Sequence, residues 1–267
     1  MTHIAVLGST NMDLVAYVGK APQRGETVTG REFRTIPGGK GANQAVAAAR
    51  SGADVSMIGA VGNDAYGTQL RSTLEHSGVD TDHLRTVEGA SGDEGLIATA
   101  DVLLLQLEIP LTAVIEGAQA AHRHGVRTIL TPAPAQPLPP ELLAATDLLV
   151  PNQHEATALT GLTDPHQAAT ALLDQVPEVV VTLGPAGSLY ATRGSESITV
   201  PAPPVTPVDS TGAGDTFVGA LAVALAEGRP MPDALAWAAA AGALSVQRPG
   251  ASASMPYRPE IEARYAS

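Results

Sequence analysis

The chain has 267 residues, 44% hydrophobic and 16% charged, which suits one large α/β domain with a substantial core and excludes a disordered chain. A formal net charge of −12 argues against broad nucleic-acid binding, and it requires any anionic ligand to be held by helix N-termini, a few basic side chains or a metal ion. Cysteine is absent, so disulfides, thiolate metal sites and thiol nucleophiles are excluded.

His3–Gly8 reads as a first β-strand. No signal-like segment precedes it and no apolar run is long enough to span a bilayer, so a cytoplasmic protein with no membrane partner is expected. Leu14–Tyr17 and Thr27–Phe33 read as exposed strands flanked by Gly and Pro, which makes residues 14–36 a candidate β flap over a site. Ala42–Ser51 and Ala65–Ser77 carry helical spacing on either side of a buried strand, Val55–Ala60. Residues 88–95, EGASGDEG, join two core elements without structure of their own. Strands at Val102–Leu107, Thr128–Leu130, Asp147–Val150 and Val179–Leu183 then alternate with helices at Leu111–His124, Gln153–Leu159 and His166–Gln175. That alternation predicts an α/β fold, a mostly parallel central sheet flanked by helices on both faces. Two Ala-rich helices, about 212–227 and 231–246, close the chain. With no tandem repeat and no linker, 1–267 reads as a single domain.

The most informative stretch is Pro207-Val-Asp-Ser-Thr-Gly-Ala-Gly-Asp-Thr-Phe217. Gly212 and Gly214 open an Ala-rich helix, where small residues admit a ligand and free N–H groups attract phosphate. Asp215 lies in the first turn, beside any phosphate held there, and suits deprotonation of an attacking hydroxyl. An aspartate at its ordinary pKa of about 3.9 is ionised at neutral pH and needs no special activation. Alone, a G-x-G-D turn is more often a helix cap, and neither this loop nor Gly38-Gly39-Lys40-Gly41 has P-loop spacing. His154-Glu155 begins like a zinc-protease helix, but Ala158 stands where the second histidine would be. His122 and His124, at a helix end, suit solvent or the helix dipole better than a metal.

The full D-S-T-G-A-G-D-T-F string resembles the C-terminal signature of the ribokinase family of carbohydrate kinases. Gly8-Ser-Thr-Asn-Met-Asp13, Pro37-Gly-Gly-Lys-Gly-Ala-Asn43 and Gly59-x-x-Gly-x-Asp64 look like the family's N-terminal signature. Gln106-Leu-Glu108, Pro151-Asn152-x-x-Glu155 and Thr182-Leu-Gly184-x-x-Gly187 follow in the family's order. The resemblance covers nearly the whole chain. It implies ATP-dependent phosphorylation of a sugar's primary hydroxyl, D-ribose to ribose 5-phosphate first, with Asp215 as base and the Gly212, Ala213 and Gly214 turn stabilising the transferring group. Another sugar or a nucleoside is the alternative substrate, and a catalytically weak sugar- or nucleotide-binding protein the alternative class.

By the same resemblance Asn11, Asp13, Gly38, Gly39, Lys40, Asn43 and Glu108 hold the sugar. The residues by themselves also allow Asn11 and Asp13 to form a turn, and Glu108 to cap the helix starting near Leu111. Lys20 and Lys40 are the only lysines, and one set among glycines is poorly explained by solubility. Asn152, Thr182, Gly184, Gly187 and Gly214 would contact the nucleotide, although 182–187 equally suits a strand and hairpin turn. Glu155 would act on Mg2+ through water, as that ion retains its waters. Asp209, Thr211, Ser245, Arg248 (through its carbonyl), Gly250 and Ser254 match the family's potassium loop, so K+ is the implied monovalent activator.

Two departures stand out. After Val79-Asp-Thr-Asp-His-Leu, family members carry a few tens of residues with the rest of the flap; here the chain bridges directly, an internal deletion after about residue 92. The flap is therefore incomplete, which puts the implied homodimer in question. Ala239 stands where family members often place Asn near the adenine.

Overall fold

A computed structural model describes residues 2–86 and 94–266. The deletion point and most of the 88–95 connector lie outside the described residues. The chain opens with β1 (His3–Leu7), then two strands that leave the core, β2 (Asn11–Val18) and β3 (Gly30–Gly38). It returns through α1 (Lys40–Arg50), β4 (Asp54–Val61), α2 (Ala65–His76) and two short strands, β5 (Val79–Asp80) and β6 (Leu84–Thr86). Beyond the connector come α3 (Glu94–Ile97), β7 (Val102–Leu105), α4 (Leu111–His124), β8 (Arg127–Leu130), α5 (Pro140–Ala144) and β9 (Leu148–Leu149). The remainder is α6 (Gln153–Thr160), α7 (Pro165–Leu172), β10 (Glu178–Thr182), β11 (Ser188–Thr192), β12 (Ile198–Val200), α8 (Ala213–Ala226), α9 (Met231–Ser245) and α10 (Arg258–Tyr265).

One sheet runs in the order β12-β11-β10-β9-β8-β7-β1-β4-β5, with β6 beside β4. Pairings from β10 through β9, β8, β7, β1 and β4 to β5 are parallel; among the described strands of this sheet β11 alone is reversed, pairing antiparallel with both β10 and β12. Side chains alternate between two cores as strand pleating demands. Ile4 and Val6 face a core shared with α1, α8 and α9, whereas Ala5 and Leu7 face one shared with α4 and α7. The expected parallel α/β sheet with helices on both faces is thus observed. Among the described residues no helix is long and apolar enough to cross a membrane.

Element limits shift where tertiary bonds intervene. Helix α1 begins at Lys40 rather than Ala42 because a distant carboxylate, Glu108, accepts from the Lys40 N–H at 2.8 Å. The strand expected to run to Leu107 ends at Leu105, and that expected over 147–150 keeps only Leu148–Leu149. Strands β5, β6, β11 and β12 and helix α10 carried too little apolar periodicity to be anticipated as separate elements. Among the described residues, strands β2 and β3 pair only with each other, antiparallel from Asn11–Gly38 outward. Most of this ribbon is exposed, including Leu14 and Phe33.

Candidate active site

In parallel sheets ligands bind outside the carboxyl ends of the strands. Here the segments leaving β8, β9 and β10 meet the N-termini of α1, α6 and α8 around a cleft of about 200 Å3, lined by Lys40, Thr131, Asn152, Glu155, Thr182 and Asp215, with Gly212 and Gly214.

Helix α8 starts from Gly212, whose φ of 72° lies in the left-handed region that favours glycine. A Cβ there would sit 3.2 Å from Ala251, whereas a Cβ on Gly214 would meet nothing within 4 Å. Gly212 is therefore demanded by the fold, while Gly214 leaves open space beside the cleft. Asp215 follows in the first turn and is 8% exposed. Asn43 Nδ2 donates to its Oδ2 at 3.0 Å and Gln44 Nε2 to its Oδ1 at 3.3 Å. Burial pushes the Asp215 carboxyl up to about 6, against the pull of Lys40, Asn43 and Gln44. This corrects the expectation of an ordinary aspartate.

On the other side of Asp215, Gly39 takes φ 100° to turn the chain from β3 into α1. Ser9 Oγ donates to Glu108 Oε2 at 2.5 Å, and the same oxygen accepts the Lys40 N–H. Glu108 therefore caps α1, a helix distant in sequence, and not the one starting at Leu111, whose N-cap is Pro110. Asn11 and Asp13 lie on β2, not in a turn, and Asn11 Nδ2 donates to Asp13 Oδ1 at 2.7 Å. Gly38 is so close that a Cβ would stand 2.5 Å from Asp13 Oδ2. The flap base and the first turn of α1 thus bring Asn11, Asp13, Gly38, Gly39, Lys40 and Asn43 to one side. Asn43 Oδ1 is buried without a partner among the described residues, an acceptor that costs free energy until a donor reaches it.

Asn152 and Glu155 form a capping box on α6: Asn152 Oδ1 accepts from Glu155 N at 2.9 Å, and Glu155 Oε2 from Asn152 N at 2.8 Å. Burial raises the Glu155 carboxyl above its ordinary value, opposed mainly by that backbone bond and by Lys40. The charge of Lys40 therefore acts on Asp215 and Glu155 together. A bridge between Asn152 and Thr182 sets these two side by side. Gly184 and Gly187 form the β10–β11 hairpin and do not line the cleft.

Behind α8, Asp209 Oδ1 accepts from Thr211 N at 2.9 Å and Thr211 Oγ1 at 2.7 Å, and Oδ2 from Gly250 N at 2.8 Å. These bonds hold its carboxyl below its ordinary value. Arg248 N donates to Ser245 O, and Ser254 Oγ to Ala251 O, so all six loop residues named from the sequence fall on the two segments that Asp209 ties together. The Arg248 guanidinium turns away to pair with Glu260.

Thr131 and Gln44 belong to this site and were not singled out from the sequence. Thr131 had a signal, since it follows a parallel strand at its carboxyl end. Gln44 had a fainter one: an amide inside an apolar helical run must find a buried partner.

The profile of the pfkB family carbohydrate kinases matches residues 1–101 and 90–258 of this chain. The chain is 42% identical to the ribokinase of Bacillus subtilis, covering 98% of this chain and 99% of that protein. It is 38% identical to the ribokinase of Schizosaccharomyces pombe, covering 99% and 98%. The Bacillus alignment spans 294 positions, more than the 267 residues available here, and the family match breaks into two pieces around 90–101. Both observations fit a shortened connector. Among solved structures, Arabidopsis thaliana ribokinase complexed with ribose and ATP superposes with a TM-score of 0.94 at 32% identity, covering all of both chains. Ribokinase from Thermotoga maritima gives 0.90 at 33%, again over both chains in full.

Proposed function

This chain belongs to the pfkB family of carbohydrate kinases, and we propose that it phosphorylates the primary hydroxyl of D-ribose with ATP. The observation that carries this reading is Asp215: a buried carboxylate in the first turn of α8, beside Gly214 with open space, with both oxygens oriented by Asn43 and Gln44. Relatives that are 42% and 38% identical are ribokinases, and the Arabidopsis neighbour was solved with ribose and ATP.

Asn11, Asp13 and Asn43 hold the sugar hydroxyls, with the unpartnered Asn43 Oδ1 accepting from one of them. Gly38 and Gly39 let the sugar approach the backbone, and Glu108 both caps α1 and faces the same side. Asp215 takes the proton of the primary hydroxyl as that oxygen attacks phosphorus, and the ADP oxygen leaves in line. The N–H groups of the Gly212–Gly214 turn, at the positive end of α8, and the Lys40 ammonium stabilise charge on the transferring group. Asn152 and Thr182 flank the nucleotide from the cleft wall, while Gly184 and Gly187 shape the hairpin that follows β10.

Mg2+ fits beside Glu155, whose Oε1 lies outside the capping box and can hold a water of the ion; when bound it neutralises phosphate charge. K+ fits the loop of Asp209, Thr211, Ser245, Arg248, Gly250 and Ser254, where an anionic carboxylate stands among hydroxyls and carbonyls. The ATP requirement suits a cytoplasmic enzyme.

A coupled assay of ADP release over a panel of pentoses, hexoses and nucleosides, with and without K+, tests the assignment. Ribose should give the highest kcat/KM, and K+ should raise it. A tenfold preference for another sugar would replace ribose, and sugar binding without ADP release would remove the kinase reading.

A further inference from the structure

Gln44 and Gln106 are both 0% exposed. Buried amides are costly unless bonded, so their partners were selected by the fold and not by solvent. Gln106, the first residue after β7, donates from Nε2 to Gln44 Oε1 at 2.5 Å. Gln44, in the second turn of α1, donates from Nε2 to Asp215 Oδ1 and to Thr131 Oγ1, each at 3.3 Å. An ionised Asp215 accepts only, so Gln44 must turn its NH2 toward it. Its carbonyl is left for Gln106, whose NH2 must then point at Gln44. One polarity runs along the whole chain. In the turn after β1, Gly8 leaves room for it, because a Cβ there would run into Gln106 Oε1.

We infer that Gln44 and Gln106 are a positioning relay that holds the Asp215 carboxylate aimed at the sugar hydroxyl. The inference rests on the reading of Asp215 as base. Asn43, on the other carboxylate oxygen, belongs to the sugar side and its environment changes as substrate binds. Gln44 is fully buried, so its bond to Asp215 lies out of reach of a ligand in the cleft. Without it the carboxylate can rotate about its last bond away from the line of proton transfer, which costs rate rather than binding. Gln44 also donates to the charged form, so its loss makes Asp215 harder to ionise. Lys40 and Glu108, the charged groups that act on Asp215, stay in place.

Three full-length variants test the relay: Gln44→Met, Gln106→Met and the double substitution, which replaces both buried amides by apolar groups of similar size and so protects folding. Single-turnover transfer, KM values and the acidic limb of the pH–rate profile are measured on each. Gln44→Met should slow transfer roughly tenfold with both KM values within about twofold, and move the limb up by about one pH unit. Gln106→Met should give a smaller change in the same direction, and none further once Gln44 is Met. Wild-type transfer and an unmoved limb in Gln44→Met, or full additivity in the double variant, would overturn the relay. Asp215→Asn is the control: if it retains turnover, the reading of the base has failed, and if it is inactive while Gln44→Met is normal, only the relay has failed.

Discussion

At Asp215, burial between α1 and α8 raises the carboxyl to about 6 from an ordinary value of 3.8. Between those two values the folded protein binds more protons than the unfolded chain, so this group's contribution to stability is lost as pH rises through about 6. Replacing it by neutral Asn should therefore stabilise the protein at pH 8, by up to about 3 kcal/mol, with the gain vanishing toward pH 4. The same variant should lose roughly 10²–10⁴-fold in turnover. Urea denaturation at several pH values, with the coupled assay, checks both halves; a stability difference independent of pH contradicts the sign. In the wild type, kcat/KM should fall as pH drops below about 6, where the base becomes protonated. The glycines of the α8 turn separate in the same way. Gly214→Ala adds a methyl where nothing lies within 4 Å, so it should hold or gain about 0.5–1 kcal/mol of stability. It should still lose transfer, because the methyl occupies phosphate space. Gly212→Ala should lower the melting temperature as well, since it faces Ala251 and a left-handed φ.

At the scale of elements, helix starts double as site components. Asn152 and Glu155 close the capping box of α6 while facing the cleft. Glutamine serves at the last position of such a box, but it has no charge to hold a metal-bound water. Glu155→Gln should therefore keep the melting temperature and shift the Mg2+ dependence of turnover about tenfold upward. Glu155→Ala should lose both the metal response and about 1 kcal/mol of stability. Magnesium titrations with thermal melts distinguish the two; equal melting losses in both would show that the carboxylate charge serves the helix. The start of α1 is set by Glu108, 68 residues away. No local reading of residues 40–50 contains that bond, which is why the expected helix began two residues late.

Across the whole molecule, the back of the fold is tied by α10. Arg258 pairs with Glu227 at the end of α8, bonds Glu262 at 2.8 Å within α10 and donates to Ser51 O after α1 at 3.3 Å. These are the helices whose opposite ends carry Asp215 and Lys40. Arg258→Met should cost about 1–2 kcal/mol in urea denaturation and leave kcat and KM within twofold, since it removes an anchor without touching the cleft. A large loss of kcat would show that the clamp also fixes the spacing of the two helix N-termini.

The parallel alternation, both Ala-rich helices, the flap strands and the ordered motifs from Gly8 to Ser254 were legible in the amino-acid sequence, because pleat, helical period and glycine turns are local properties. The family followed from those motifs, and so did the proposal that Asp215 is the base. Tertiary structure decided the rest: that Glu108 caps α1, that Gln44 and Asn43 each take one oxygen of Asp215, and that burial moves its carboxyl. Asn43 and Asp215 are 172 residues apart. Only packing α1 against α8 removes the water between them, and only that desolvation raises the Asp215 carboxyl while Asn43 and Gln44 orient its two oxygens.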